Sequence, residues 1–164
     1  MYKSVIFLPQ REIIKLHPDS ATVLISLILP DVILGFDPGY LDILQLTFND
    51  ISEKKINVTV GTIPDEADGP IVQAYKGEKY IWPDAHHTNA IKAFLAKHEG
   101  DQRQERKIIV HCSAGISRSA ALAAFAVHKY GTILLNGEPS YKDQVAMTNT
   151  SMANPRLLRL LMEN

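Results

Sequence analysis

The chain has 164 residues, 46% of them hydrophobic and 21% charged, with a formal net charge of −1. That length and balance are ordinary for one soluble globular domain with a core of its own. The near-zero charge excludes bulk electrostatic attraction to nucleic acid or to a membrane surface. The one cysteine, Cys112, cannot make an intramolecular disulfide and fits a reducing compartment, so a cytoplasmic location is expected. The apolar run at the N-terminus is too short for a signal peptide, and the longest apolar stretch, 21–29, is too short to span a bilayer.

Taken in order, Val5 to Leu8 reads as a buried strand and Pro9 to Leu16 as a first helix, with Pro9 near its first position. Ala21 to Leu29 reads as a buried strand, Pro30 to Gly39 as turns, and Leu41 to Phe48 as a third strand ending at Asn49-Asp50. The segment 51–82 reads as an insertion with one or two short strands, or a flap. Ile56 to Val60 alternates like an exposed strand, and Gly61, Pro64, Gly69, Pro70 and Gly77 punctuate the remainder of the segment. Pro83 to His98 predicts a helix with Asp84 in its first turn. A charged loop, Glu99 to Arg106, then precedes a strand to His111 and a helix stopped by Gly131. Tyr141 to Met147 and Pro155 to Met162 predict two more helices, the last capped by Asn154. The order of elements predicts an α/β fold. It is a single domain over 1–164, with a central, mostly parallel sheet of four to five strands flanked by helices.

The chemistry concentrates in His111-Cys112-Ser113-Ala114-Gly115-Ile116-Ser117-Arg118-Ser119, between an apolar strand and an alanine-rich helix. Ser113, Ala114, Gly115, Ile116 and Ser117 are small or uncharged, and such a loop turns successive N–H groups inward as an anion nest. The helix after it adds its N-terminal amides, and Arg118 can clamp two phosphoryl oxygens. The same positive field favours the Cys112 thiolate, which would then attack phosphorus in line. A hydroxyl near the sulfur, Ser119, would help it leave, and a general acid must protonate the departing oxygen.

His-Cys-x5-Arg-Ser resembles the signature of the cysteine-dependent protein tyrosine phosphatase superfamily. The loop filling looks most like the compact dual-specificity branch and its small bacterial and phage relatives. The resemblance is strongest over Lys107 to Val127. It implies a phosphatase-like fold, Cys112 as nucleophile, Arg118 as phosphate binder, Ser119 as the aid to thiolate departure, and His111 as the residue that tunes the cysteine and orders the loop. It implies no metal and no cofactor. The absence of lysine from the loop argues against a polyphosphoinositide substrate.

The family's acid is an Asp on a loop that comes after a strand. Asp50 fits best, and Asp84 is the rival, although a first-turn acid also simply complements a helix dipole. Asp65 and Asp68 lie in the insertion, within reach only if it swings. Tyr75, Tyr80 and Trp82 either wall the substrate pocket or pack the insertion. His86-His87 lacks the further ligands a metal site needs. The leading expectation is a phosphomonoester hydrolase acting through a phosphocysteine, a protein-tyrosine or dual-specificity phosphatase. Its partners would be phosphorylated protein or a small phosphomonoester, with phosphate, sulfate or vanadate as ligands, and the chain would be a monomer. The alternative is a catalytically inactive module that holds phosphorylated partners.

Overall fold

The computed structural model describes residues 1–100 and 103–163. Five strands form one all-parallel sheet: β1 (Tyr2–Pro9), β2 (Thr22–Ile28), β3 (Asp42–Thr47), β6 (Arg106–Cys112) and β7 (Ile133–Leu134), in the order β3-β2-β6-β1-β7. Buried on both faces, β1 and β2 carry the near-continuous apolar runs that a parallel sheet demands. β6 is the middle strand. Its register sets Cys112 opposite Pro9, at the C-terminal edge where parallel sheets gather ligands.

Helix α3 (Arg118–Tyr130) packs on β1 and β6, α4 (Pro155–Met162) packs on α3, and α2 (Ala85–His98) packs on α4 and β3. Ala120, Ala121, Ala123 and Ala126 are fully buried, which lets the α3 backbone approach the sheet closely. Gly131 ends the helix in the left-handed conformation, its N–H on Val127 O. Among the described residues, no helix is long and apolar enough to cross a membrane.

Three local expectations change. The first helix shrinks to the four residues of α1 (Gln10–Ile13): Ile13 is buried but Ile14 is 67% exposed, so no apolar stripe continues. Ile56 to Val60 is not a strand, because Asn57 takes a left-handed φ of 58° that breaks an extended run. Tyr141 to Met147 is not a helix. A 3₁₀ turn at Pro139–Tyr141 gives way to irregular chain, and Met147 O is held by the Asn136 side chain, which also pairs with Phe7 N and O on β1. The charged loop before β6 lies partly outside the described residues, which omit 101 and 102.

The segment 51–82 has a small core of its own: Ile51, Ile63, Ile71 and Trp82. Strands β4 (Val72–Tyr75) and β5 (Glu78–Ile81) form an antiparallel hairpin on it. Arg156 of α4, 1% exposed, fastens this unit to the domain. Its guanidinium donates to Pro83 O at 2.6 Å and Pro64 O at 2.7 Å, pairs with the buried Glu53 carboxylate, and lies 5.3 Å from the Trp82 ring centroid.

Candidate active site

The loop from Cys112 to Arg118 leaves β6 and enters α3 directly, so its conformation is set from both ends. Gly115 holds a left-handed φ of 64° and packs against the end of β1. A Cβ there would stand 2.5 Å from Leu8 C and 2.7 Å from Pro9 Cδ. Only glycine satisfies both the dihedral and the space. Gln10 N–H donates to Ser113 O at 3.2 Å and ties the loop's first turn to α1. Ala114 is exposed and Ile116 half-buried at the loop's surface.

Cys112 is buried, 3% exposed, with its Sγ 3.1 Å from Ser119 Oγ. Arg118, also 3% exposed, folds back over the loop. Its Nη1 donates to Phe48 O at 2.7 Å and its Nη2 to Ser113 Oγ at 3.0 Å, while Nε has no partner among the described residues. Burial pushes the guanidinium's pKa down, against the pull of the Cys112 and Asp50 charges. His111 is fully buried, its Nε2 2.8 Å from Ser26 Oγ on β2. Burial pushes the imidazole down to about 4, opposed by the Cys112 main chain and helped by the Arg118 charge. His111 is therefore neutral at neutral pH.

Asp50 comes to the loop from the end of β3. Its Oδ1 accepts from Ser117 Oγ at 2.6 Å and from Asn154 Nδ2 at 2.9 Å, and Lys55 Nζ lies 3.6 Å from Oδ2. Ser117 occupies the N-cap of α3 but spends its hydroxyl on Asp50 and does not cap the helix. Burial pushes the Asp50 carboxyl up. The hydrogen bonds from Ser117 and Asn154, with the Lys55 and Arg118 charges, outweigh it and set the carboxyl below its usual value.

The protein-tyrosine phosphatase family model matches residues 43–146, more than half of the chain. The chain belongs to the protein-tyrosine phosphatase family. Searches of curated proteins and of solved structures each returned no match. The family match spans β3, the segment 51–82, α2, the Cys112 loop and α3, so every loop residue and both rival aspartates of this family member lie inside it.

Of those rivals, Asp84 stands apart. It is 1% exposed and is the N-cap of α2. It accepts from His87 N at 3.1 Å, and its own N–H donates to His87 Nδ1 at 3.2 Å, a reciprocal capping box. Asp65 is bound to Arg159 at 2.8 and 2.9 Å, and Asp68 is exposed on the surface. Trp82 is fully buried in the core of the 51–82 unit, and Tyr75 and Tyr80 face each other on the hairpin with ring centroids 6.4 Å apart. All three pack the unit. Among the described residues, no group of three or more His, Cys, Asp or Glu could hold a metal ion.

Sequence reasoning missed the residues that hold this family member's loop from a distance. Ser26 supports His111, the Phe48 carbonyl aims Arg118, and Asn154 bridges Asp50, Ile51 O and the loop, its own N–H donating to Ser117 O at 3.0 Å. Asn154 was legible as a helix cap. Its contacts to Asp50 and Ser117 join positions 104 and 37 residues away, which no local pattern encodes.

Proposed function

We propose that this chain hydrolyses phosphomonoesters through a phosphocysteine, as a protein-tyrosine or dual-specificity phosphatase. The observation that carries the reading is convergence. Cys112 and Ser119, Arg118 and Asp50 reach one loop from three separate elements. The phosphoryl group would sit on the loop amides and the α3 N-terminus, with Arg118 Nε–H and its remaining N–H groups on two oxygens. The Cys112 thiolate forms the S–P bond as the ester oxygen departs and takes its proton from Asp50. Water then attacks phosphorus and gives its proton to the Asp50 carboxylate. The S–P bond breaks, and Ser119 Oγ donates a hydrogen bond to the returning thiolate. His111 stays neutral and positions the strand end.

For Asp50 to act as an acid, its carboxyl must hold a proton that the Ser117 and Asn154 hydrogen bonds disfavour. A bound phosphate dianion beside it supplies the opposing push, since a like charge disfavours ionisation. One observation favours the second reading, a phosphate-binding module without turnover: Asp50 is held below its usual pKa. A chromogenic aryl phosphate at mildly acidic pH decides between the two. Turnover that Cys112→Ser abolishes supports the hydrolase. Vanadate binding with no turnover by the unaltered chain supports the module.

A further inference from the structure

The Cys112 loop has a groove on each side, and the two differ in chemistry. On the Ser113 side, a groove of about 500 Å³ is walled by Ile14, Leu29, Val32 and Leu34, with Arg11 at its edge. Next to it, Ile33 is 95% exposed on the segment between β2 and β3. That segment is anchored from within, because the Phe36 ring meets His111 edge-on at 5.6 Å. On the Ser117 side, a groove of about 530 Å³ runs past Asp50, Lys54, Lys55, Met152 and Pro155. Lys55 is occupied, donating to Asp50 O at 2.7 Å. Lys54 is exposed and has no acidic partner among the described residues.

We infer that these two grooves select a protein segment whose phosphorylated residue has aliphatic side chains on one flank and acidic ones on the other. This rests on the loop holding the phosphate, as proposed above. Ser113 and Ser117 stand at the two ends of the loop, so a phosphoresidue seated between them sends the chain before it and the chain after it into different grooves. An extended peptide advances about 3.3 Å per residue, so two or three residues on each side reach both walls. The aliphatic flank covers the Val32–Leu34 patch, whose exposure has no use inside the fold. The acidic flank meets Lys54, and this complementarity sets preference and orientation on a chain that is otherwise nearly neutral. A small aryl phosphate would engage the loop and neither groove. A lipid surface fits less well, because the lysines lie across the loop from the aliphatic patch and Arg11 beside the patch is paired with Glu12 at 3.5 Å.

The test measures binding to the Cys112→Ser chain. The probes are four phosphotyrosyl peptides: aliphatic before and acidic after, the reverse, aliphatic on both sides, and acidic on both sides. One of the two mixed peptides is expected to bind about tenfold tighter than either uniform one. Lys54→Glu is expected to remove the gain from the acidic flank, and Val32→Asp the gain from the aliphatic flank. With Cys112 intact, both variants should turn over an aryl phosphate within about twofold of the parent, which also shows that they fold. Equal affinity for all four peptides overturns the inference, as does a preference indifferent to both substitutions. Retention on phosphatidylcholine–phosphatidylserine vesicles that Ile33→Asp abolishes, without peptide preference, overturns it in favour of a membrane. Absence of aryl phosphate turnover by the unaltered chain would refute the hydrolase reading alone, because the peptide result is a binding measurement.

Discussion

The Asn154 side chain donates to Asp50 Oδ1 at 2.9 Å while its own oxygen accepts from Leu157 N at 2.9 Å, so one residue both starts α4 and holds the candidate acid. Its amide also satisfies Ile51 O at 2.9 Å. Asn154→Ala loses a helix cap, about 1 kcal/mol, and leaves a buried carbonyl unpaired, about 1–3 kcal/mol. Urea unfolding is expected to show a loss of about 2–4 kcal/mol. A change within 0.5 kcal/mol, roughly the level of a surface substitution, would remove Asn154 from this role.

If Asp50 is the general acid, Asp50→Asn lowers kcat for an aryl phosphate about 10²–10⁴-fold and flattens the alkaline limb of the pH profile. Ser117→Ala acts in the opposite sense on that limb. The Ser117 hydroxyl stabilises the charged carboxylate, so its removal lets Asp50 keep its proton to higher pH, and the alkaline limb moves up. Steady-state kinetics across pH 4–9, roughly the range that spans both limbs, would test this. An unmoved limb in Ser117→Ala, with full activity in Asp50→Asn, would shift the assignment to another acid.

Gly115→Ala confronts two obstacles together. The left-handed φ costs a side chain about 1–2 kcal/mol, and the added Cβ meets the Leu8–Pro9 main chain, which cannot move aside as a flexible side chain would. Overpacking of this kind costs about 1–3 kcal/mol. The variant is expected to lose about 2–5 kcal/mol of stability and to bind vanadate at least about tenfold more weakly, since the displaced amides are those that would face the anion. Parent-like melting together with parent-like vanadate affinity would contradict this account of the loop.

The range of each interaction decides how much of the molecule was legible in the sequence. The loop could be read because its parts are local: an apolar strand, a small-residue turn and an alanine-rich helix, adjacent in the chain. Strand β3 and its terminal acid could be read for the same reason. The 51–82 unit could be read only as an insertion with short strands, not as a packed unit. Its core depends on Arg156, which on a helical wheel looks like an ordinary solvent-facing cation yet is buried against Glu53 and Trp82. Tyr141 to Met147 misled because nothing within it announces that Asn136 will claim the Met147 carbonyl.

The Arg156–Glu53 pair tests whether 51–82 is a fixed unit rather than a swinging flap. Both partners are buried, and Arg156 also satisfies two carbonyls. Arg156→Met strands the Glu53 carboxylate from its nearest cation, leaving it only Arg159 Nη2 at 3.6 Å, and is expected to cost about 3–5 kcal/mol. Removing the stranded charge with Glu53→Gln in the same chain should restore part of that loss. Limited proteolysis gives a second readout: the single variant should be cut within 51–82 faster than the parent. Parent-like stability and an unchanged cleavage pattern would show that the pair does not fasten the unit.

His111 gives the fold a dependence on pH whose sign is set by its depressed pKa. In the folded chain its pKa is about 4, against an ordinary value of 6.5. The unfolded state therefore binds the proton first as pH falls, and acid favours unfolding. The contribution is fully present above pH 6.5 and is lost progressively as pH falls to about 4, reaching about 3 kcal/mol there. His111→Asn cannot titrate. Carboxyl groups that protonate in the same range are common to both proteins and cancel in the difference. Urea unfolding at intervals through this range should give the parent a steeper fall in stability than the variant. Parallel curves would mean that the imidazole accepts its proton without opening the site, either by turning away from Ser26 or by drawing water to the strand end.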